Sequence, residues 1–379
     1  MKILHVTPSY WPAVVYGGPT ISITRLCENQ ALLKHDVCVM TTTANGKEDL
    51  PYKNGEVIIN NGVSVKYFSR ITGDHSNFSP ILLWNLFFRC RQFDVIHIHS
   101  WWNLVVIPAV LICRMRGVRP VFSPRGMLSQ YSTKGKTRGI FHKTVGRALL
   151  KNTILHTTSK QEQSECISYI SNWKGFLLPN IVDLPPTPVI DKDTIINTSI
   201  KEPYHILYIG RLHPIKRLEL VFEALSYIKH NWKLTIAGEG AANYVLFLKN
   251  LAHKYKINDR LSWYGWANNA TKLQLLQQTD LLILTSFSEN FANTILEGLS
   301  LGIPVLLTKG VGLSDYVEEN QFGWICEPDP QDISTTIEKL ITKELALPHN
   351  PADIAKRVHE EFNSIGLAHK YIYFYQHIN

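Results

Sequence analysis

Acidic residues are missing from a long stretch of this 379-residue chain: between Val95 and Gln161 there is no aspartate and no glutamate. The same stretch carries Arg114, Arg116, Arg119, Arg125, Lys134, Lys136, Arg138, Lys143, Arg147, Lys151 and Lys160. A field of one sign draws polyanions or an anionic membrane surface. A solvated basic face with no partner is the plainer alternative, and the length of the block argues against it. Cysteine is scarce and scattered, with six residues at 27, 38, 90, 113, 166 and 326. No CxxC pair and no Cys/His ligand spacing occurs, which argues against a zinc site and for reduced thiols in a cytosolic compartment. Long apolar runs are also lacking. The longest candidate, Leu104 to Cys113, is interrupted by Pro108 and falls far short of the roughly 20 residues of a membrane span. The apolar run after Met1-Lys2 is too short for a secretory signal and stops at Thr7-Pro8. No low-complexity tract is present.

What is there is the composition of an ordinary globular protein, 45% hydrophobic and 18% charged with a net charge of +8. The length predicts two or more domains. In the first half, apolar strand patterns at Ile3–Val6, Asp36–Thr41, Val63–Phe68, Asp94–His99, Pro120–Ser123 and Thr153–Thr158 alternate with helical patterns at 17–33, 80–91 and 104–116. The second half repeats the style. Strands are expected at His205–Ile209, Trp232–Ala237, Leu261–Tyr264, Leu281–Leu284 and Pro304–Leu307, and helices at 217–230, 244–255, 271–278 and 294–301. Strand–helix alternation predicts parallel sheets with right-handed crossovers. A proline-rich segment, Pro179 to Pro188 and on to Pro203, separates the halves. The expected division is 1–182, a linker at 183–203, 204–360, and a helical segment at 361–379 returning to the first domain. Two such halves make an interdomain cleft the natural binding place.

Three constellations carry chemistry. Glu289 and Glu297 stand eight positions apart, after the apolar strand Leu281–Leu284. Carboxylates at the carboxyl end of a strand face the crevice where open α/β sheets bind ligands, and backbone N–H groups at the following helix start suit polar ligand atoms. The bland reading of Thr294-x-x-Glu297 is a capping box. Next, Gly210-Arg211 and Lys216 follow the first strand of the second half. Glycine lets the backbone turn there, and two cations near a helix start suit a phosphate. Finally, Val95, His97 and His99 share one strand face by period two. His99 is nearer the carboxyl end, so it is the functional candidate, and His97 reads as a satisfied core histidine.

In this order, Gly210-Arg211 with Lys216, Ala237-Gly238-Glu239-Gly240, and Glu289-x7-Glu297 resemble the nucleotide half of retaining glycosyltransferases of the GT-B fold, specifically glycosyltransferase family 4. Gly17-Gly18, His97-Ile98-His99 and Leu178-Pro179-Asn180 extend the resemblance over almost the whole chain. Ser123-Pro124-Arg125-Gly126-Met127-Leu128 resembles segments of members that build bacterial surface polysaccharides. The chain departs from the family at Arg217, where glycine is common, at Gly238-Glu239-Gly240-Ala241, at Asn290 and at Ile181.

The resemblance implies an α/β GT-B fold, two Rossmann-like domains with parallel sheets facing across a cleft. It implies a retaining hexosyltransferase in polysaccharide or lipopolysaccharide synthesis, with a UDP- or GDP-sugar as donor and no cofactor; because no metal-ligand cluster is visible in the sequence, the enzyme is expected to be metal-independent. Arg211 and Lys216 would hold the donor diphosphate, and Gly210 and Gly238 would shape the loops around it. Glu297 would bond the ribose hydroxyls. Glu289 and the backbone of Asn290, Phe291, Ala292, Asn293 and Thr294 would hold the hexose and distal phosphate. Gly17 and Gly18 would let a loop approach the phosphates, His99 would touch the transferred sugar, and Arg125 would face donor or acceptor. The acceptor would be a glycan, lipid-linked at the inner face of the cell membrane. There the basic block, with Trp101-Trp102, Met127-Leu128 and Phe141 among its cations, would meet anionic lipid. Rival readings are transfer to a small soluble acceptor and a non-catalytic sugar-nucleotide-binding subunit. A nucleic-acid binder lacks any recognition motif.

Overall fold

The computed structural model describes residues 1–129, 131–133, 140–186 and 203–377. Lys134, Lys136 and Arg138 of the basic block, the side chain of Lys143, and most of the expected linker lie outside the described residues. The chain divides into two compact units, Met1–Asp183 with Phe362–Asn379, and Leu184–Glu361.

Among the described residues, eight strands make the first unit's main sheet, beside a short antiparallel pair at Ala44–Asn45 and Glu48–Asp49: β1 (Lys2–Val6), β2 (Asp36–Thr42), β3 (Val57–Asn60), β4 (Val63–Phe68), β5 (Val95–His99), β6 (Val121–Ser123), β7 (Ile154–Thr157) and β8 (Gly175–Leu177). They form one sheet in the order β8-β7-β6-β5-β1-β2-β4-β3. Every pairing is parallel except the hairpin of β3 with β4. The short apolar alternation of β3 and the turn at Asn61-Gly62 belong to an antiparallel edge that the strand–helix pattern did not reveal. Helices α1 (Gly18–Leu32), α2 (Pro80–Arg89), α3 (Val106–Met115) and α4 (Lys160–Tyr169) connect the strands. β1, β5 and β6 are near-continuous apolar or uncharged runs, as strands buried on both faces must be.

The second unit holds β9 (Tyr204–Ile209), β10 (Trp232–Ala237), β11 (Leu261–Gly265), β12 (Leu281–Leu284), β13 (Val305–Thr308) and β14 (Gly323–Cys326). Their order, β11-β10-β9-β12-β13-β14, is wholly parallel. Around them run α5 (Leu218–Tyr227), α6 (Ala242–Lys254), α7 (Asn269–Gln277), α8 (Asn293–Leu299), α9 (Ser314–Asn320), α10 (Pro330–Ile341) and α11 (Pro351–Glu361). The last helix, α12 (Ser364–His377), packs on α1 in the first unit.

In both sheets the strand order reverses once. The reversal lies between β1 and β5 in the first unit and between β9 and β12 in the second. Crossovers leave to opposite sides there, which opens a crevice at the carboxyl ends of the two strands. His99, Gly17 and Gly18 follow or end the strands at the first reversal. Arg211, Lys216 and Glu289 follow the strands at the second.

Trp101 and Leu128 are buried in the first unit's core, and Trp102, Met127 and Phe141 are partly buried against it. These groups fill the core around β5 and β6, so they are not the exposed apolar companions of the basic residues that the sequence suggested. Among the described residues no helix is long and apolar enough to cross a membrane, and all six cysteines are free thiols.

Candidate active site

The second unit builds a paired ionic site. After β9 the chain turns through Gly210, Arg211 and Leu212, makes a 3-10 turn at Pro214–Lys216, and enters α5 only after Arg217. His213 Nδ1 accepts the Ile215 N–H at 3.2 Å and caps that turn. Arg217 has φ of +52°, the left-handed region. Glycine suits that region, and a side chain there costs roughly 1–2 kcal/mol. Stacking of its guanidinium on Phe287, 4.7 Å from the ring centroid, offsets part of that cost.

The loop after β10 runs alongside. Leu212 N–H donates to Glu239 O at 2.7 Å, and Gly210 N–H to Ala237 O at 3.0 Å. A Cβ on Gly238 would stand 1.9 Å from the Gly210 carbonyl oxygen, and one on Gly240 would stand 2.0 Å from that of Leu212. The two glycines therefore let one loop lie against the backbone that carries Arg211.

Glu289 comes to this place from the end of β12. Its N–H donates to Gly310 O at 2.8 Å, and its carbonyl accepts the Gly312 N–H at 2.8 Å. The Phe287 N–H donates to Ile215 O at 2.8 Å. Held on both sides, the Glu289 carboxylate contacts the Lys216 ammonium, 73 positions away in sequence. Arg211 is exposed beside them. Burial and the Arg211 charge push Lys216 down to about 8, while contact with Glu289 favours its charged form, so Lys216 is a cation at pH 7.

Glu297 lies within α8, buried, and its Oε1 accepts from Lys272 Nζ of α7 at 2.6 Å. The capping-box alternative does not hold. α8 begins at Asn293 behind Ala292, whose side chain makes no cap, and Thr294 is already inside the helix. Ala292 itself sits at φ of +67°, a strained conformation of the kind that gathers at functional sites. Phe291 and Ala292 are buried, and Asn293 and Thr294 open the helix.

The first unit builds a buried polar site. Gly17 caps α1 at φ of +72°, and Gly18 begins the helix. Register places His5 beside His97, and His99 beside Ser123. His5, His97, His99, Ser123 and His156 thus occupy one face of four adjacent strands, and all are fully or almost fully buried. Arg125, in the turn after β6, has φ of +54° and is buried. It donates to Asn180 Oδ1 and, at 3.4 Å, to His99 Nδ1. Among the described residues it has no carboxylate within ion-pair distance, and its Nε is unpartnered. Glu162 holds the turn instead. One oxygen accepts the Gly126 N–H at 2.7 Å and the other the Thr158 N–H at 2.8 Å. Burial pushes the Glu162 carboxyl up and the four histidines down, His5 to about 4. Among the described residues, His5, His97 and His99 are the one group spaced to bind a metal ion. Each of their nitrogens already has a hydrogen-bond partner.

Two family descriptions account for the two halves. Glycosyltransferase Family 4 matches residues 16–185, and Glycosyl transferases group 1 matches residues 190–358. The chain belongs to the group 1, family 4 glycosyltransferases. An uncharacterized glycosyltransferase of Methanocaldococcus jannaschii is 26% identical to this glycosyltransferase over 375 residues, 90% of this chain and 89% of that one. The lipopolysaccharide 1,6-galactosyltransferase of Escherichia coli K12 is 34% identical over 178 residues, 44% of this chain and 48% of that protein. HepE of Anabaena, solved in complex with UDP-glucose, shares the fold with a TM-score of 0.73 at 17% identity, covering 98% of each chain. The fold is the two-domain α/β GT-B fold.

Sequence reasoning missed Lys272, Gln30, His5, His156, Glu162, Tyr371 and Tyr375 in this glycosyltransferase. His5 stood inside the apolar first strand, Ile3–Val6, and a histidine in such a run was a usable signal. The others come from elements whose neighbours are set only by the sheet order and by the return of α12.

Proposed function

We propose that this glycosyltransferase moves a hexosyl unit, with retention, from a UDP- or GDP-sugar to a hydroxyl of a lipid-linked glycan in lipopolysaccharide or other surface-polysaccharide synthesis. The observation that carries this reading is the Lys216–Glu289 pair beside Arg211 at the reversal of the second sheet. It sets cations for a diphosphate against a carboxylate for sugar hydroxyls. In the reaction, the bond from the anomeric carbon to the distal phosphate oxygen breaks. A bond to the acceptor oxygen forms on the same face, and the acceptor's proton passes to the leaving phosphate. Arg211 and Lys216 stabilise the charge that develops on that phosphate, usually the largest catalytic contribution. Glu297 takes the ribose hydroxyls, and the chain from Glu289 to Thr294 takes the hexose. Gly17 and Gly18 shape the phosphate side of the first unit. His99 and Arg125 face the transferred sugar or the acceptor; a buried guanidinium with an unpartnered Nε suits an oxygen-rich ligand. The similarity to the E. coli galactosyltransferase supports the acceptor class, and the UDP-glucose complex of the Anabaena protein supports the donor class.

Protein cations serve here in the role a divalent ion plays elsewhere. The chain's one Asp-x-Asp spacing, Asp191 and Asp193, lies outside the described residues. The test is nucleotide release from UDP-, GDP- and ADP-hexoses, with and without excess EDTA. Turnover of one donor class that survives EDTA is expected. No binding or turnover of any donor would overturn the function, and loss on chelation restored by Mg²⁺ or Mn²⁺ would overturn metal independence.

We further infer peripheral binding to an anionic membrane through α2. Ile81, Trp84 and Phe88 lie on one side of this helix, and Trp84 is 67% exposed. Arg89, Arg91 and Arg114 are exposed on α2, just after it and on the adjacent α3. Each cation near an anionic bilayer contributes about 1 kcal/mol. Trp84→Ser with Phe88→Ser is expected to reduce co-sedimentation with anionic vesicles several-fold at low salt. Equal binding to neutral vesicles, or no effect of the double change, would place the acceptor in solution instead.

A further inference from the structure

The buried histidines of the first unit are joined in one chain of hydrogen bonds, and both of its ends have a fixed direction. At one end is Arg125, which can only donate. Its Nη2 faces His99 Nδ1 at 3.4 Å, so that nitrogen accepts and the His99 proton sits on Nε2. His99 Nε2 then donates to His5 Nδ1 at 2.9 Å, which leaves the His5 proton on Nε2 to donate to Gln30 Oε1 at 2.8 Å.

At the other end are backbone carbonyls, which can only accept. His156 Nε2 faces Leu178 O at 3.1 Å and must carry the proton. The Tyr371 hydroxyl, 2.9 Å from the same nitrogen, donates onward to Pro179 O at 3.1 Å. His156 Nδ1 therefore accepts from the Ser123 hydroxyl. Ser123 accepts from His97 Nε2 at 2.6 Å, and His97 Nδ1 accepts from the Tyr375 hydroxyl at 2.6 Å.

The two half-chains meet at Gln30. Its carbonyl oxygen takes the His5 proton, and its amide nitrogen donates to the Tyr375 oxygen at 3.4 Å. An amide, with one acceptor and one donor end, is the side chain that joins two chains arriving with these directions. One tautomer, neutral with the proton on Nε2, thus satisfies all four histidines at once. Gln30 comes from α1, and Tyr371 and Tyr375 come from α12, the helix that returns to the first unit.

We propose that His5, held by Gln30, is a positioning residue that fixes His99 as the Nε2–H tautomer with its Nδ1 lone pair turned to Arg125. This rests on the reading of His99 and Arg125 as sugar-facing residues. His99 reaches the reaction with its ring orientation and tautomer already set, and Arg125 is kept pointing at it with no carboxylate within ion-pair distance among the described residues. Low-dielectric burial makes each such bond directional and costly to reverse. The groups facing the chain are Arg125, Tyr371, Tyr375, Cys27 and Glu162. None of them offers a carboxylate to a ring nitrogen of His99.

The test begins with wild-type protein labelled with ¹⁵N-histidine and free of substrate. Two-bond proton–nitrogen correlations at pH 7, with rings assigned by single substitution, are expected to show the Nε2–H pattern for His5, His97, His99 and His156. An Nδ1–H or doubly protonated His99 or His5 overturns the proposal. The second arm is kinetic, with UDP-glucose hydrolysis as probe. His5→Asn keeps an acceptor near the Nδ1 position and is expected to retain kcat within threefold, while His5→Leu loses at least tenfold with KM little changed. Equal losses in both variants would reduce His5 to a packing role. If the wild type turns over no sugar nucleotide, the functional reading fails, and the spectrum still decides the tautomer.

Discussion

Lys216→Met is expected to lower kcat/KM for hexosyl transfer by roughly 30- to 1,000-fold, the counterpart of about 2–4 kcal/mol of lost transition-state stabilisation. The proposed role rests on the surroundings of Lys216. The 3-10 turn after β9 points it toward the Glu289 loop, and the stitched backbone from Phe287 to Gly312 holds the carboxylate opposite. Arg211→Ala is expected to cost a similar factor, because in the proposed reaction both cations serve the same developing charge. The fold should survive, since Lys216 caps nothing and its loss leaves Glu289 partly open to water. A thermal unfolding midpoint close to wild type checks this point. The charge also predicts a pH limb. Lys216 is pushed down to about 8, and it acts as a cation, so activity falls as pH rises through that region. Lys216→Arg, which stays charged, should lose the alkaline limb while keeping part of the rate. Kinetics within threefold of wild type for Lys216→Met, or an alkaline limb unchanged in Lys216→Arg, would remove Lys216 from the reaction.

The second large effect is on stability. Acidification from pH 7 to pH 4 is expected to destabilise the first unit by several kcal/mol. Burial holds His5, His97, His99 and His156 neutral by lowering their basicity below the ordinary histidine value. A group whose folded pKa is depressed binds more protons when unfolded, so stability is fully present above the unfolded value near 6.5 and is lost as pH falls toward the folded one. For His5, lowered from 6.5 to about 4, the loss is about 2 kcal/mol at pH 5 and about 3 at pH 4. The other three act in the same direction. Glu162 acts against them, because burial raises its carboxyl and lets the folded unit take up a proton more readily. Arg125, a fixed charge in the midst of the histidines, adds to the cost of charging any of them. Urea titrations at pH 7, 6, 5 and 4 measure the effect. A midpoint for the first unit that is flat across that range would show that the rings are protonated in the folded state and that the hydrogen-bond chain is broken.

Much of the candidate site was written in local patterns. Gly210-Arg211, Gly238 and Glu289 follow strands whose apolar runs end abruptly, and loops at the carboxyl ends of parallel strands carry function. Gly238 illustrates the limit of such reading. The sequence showed a glycine after a strand, and the structure showed what it is for, a backbone approach that leaves no room for a Cβ beside Gly210. Arg217 is a converse case, a departure from the family pattern whose meaning is a left-handed turn that a stacked guanidinium helps to bear. The capping-box alternative for Thr294-x-x-Glu297 could be dismissed only from the structure, where α8 starts at Asn293 and the Glu297 carboxylate meets Lys272.

The sequence by itself determined the two α/β halves, the strands at which the loops begin, and the charges those loops carry, because period, turn residues and helix breakers act over a few neighbouring residues. Only the tertiary structure decided which loops meet. Strand order in a parallel sheet is chosen by how crossovers pack, over separations such as the 73 positions between Lys216 and Glu289, and no local pattern encodes that choice. The same holds for Tyr375, 278 positions from His97. A tyrosine on an amphipathic helix reads as core until the helix is seen to return to the first sheet. There its hydroxyl is needed because a buried histidine nitrogen must have a donor.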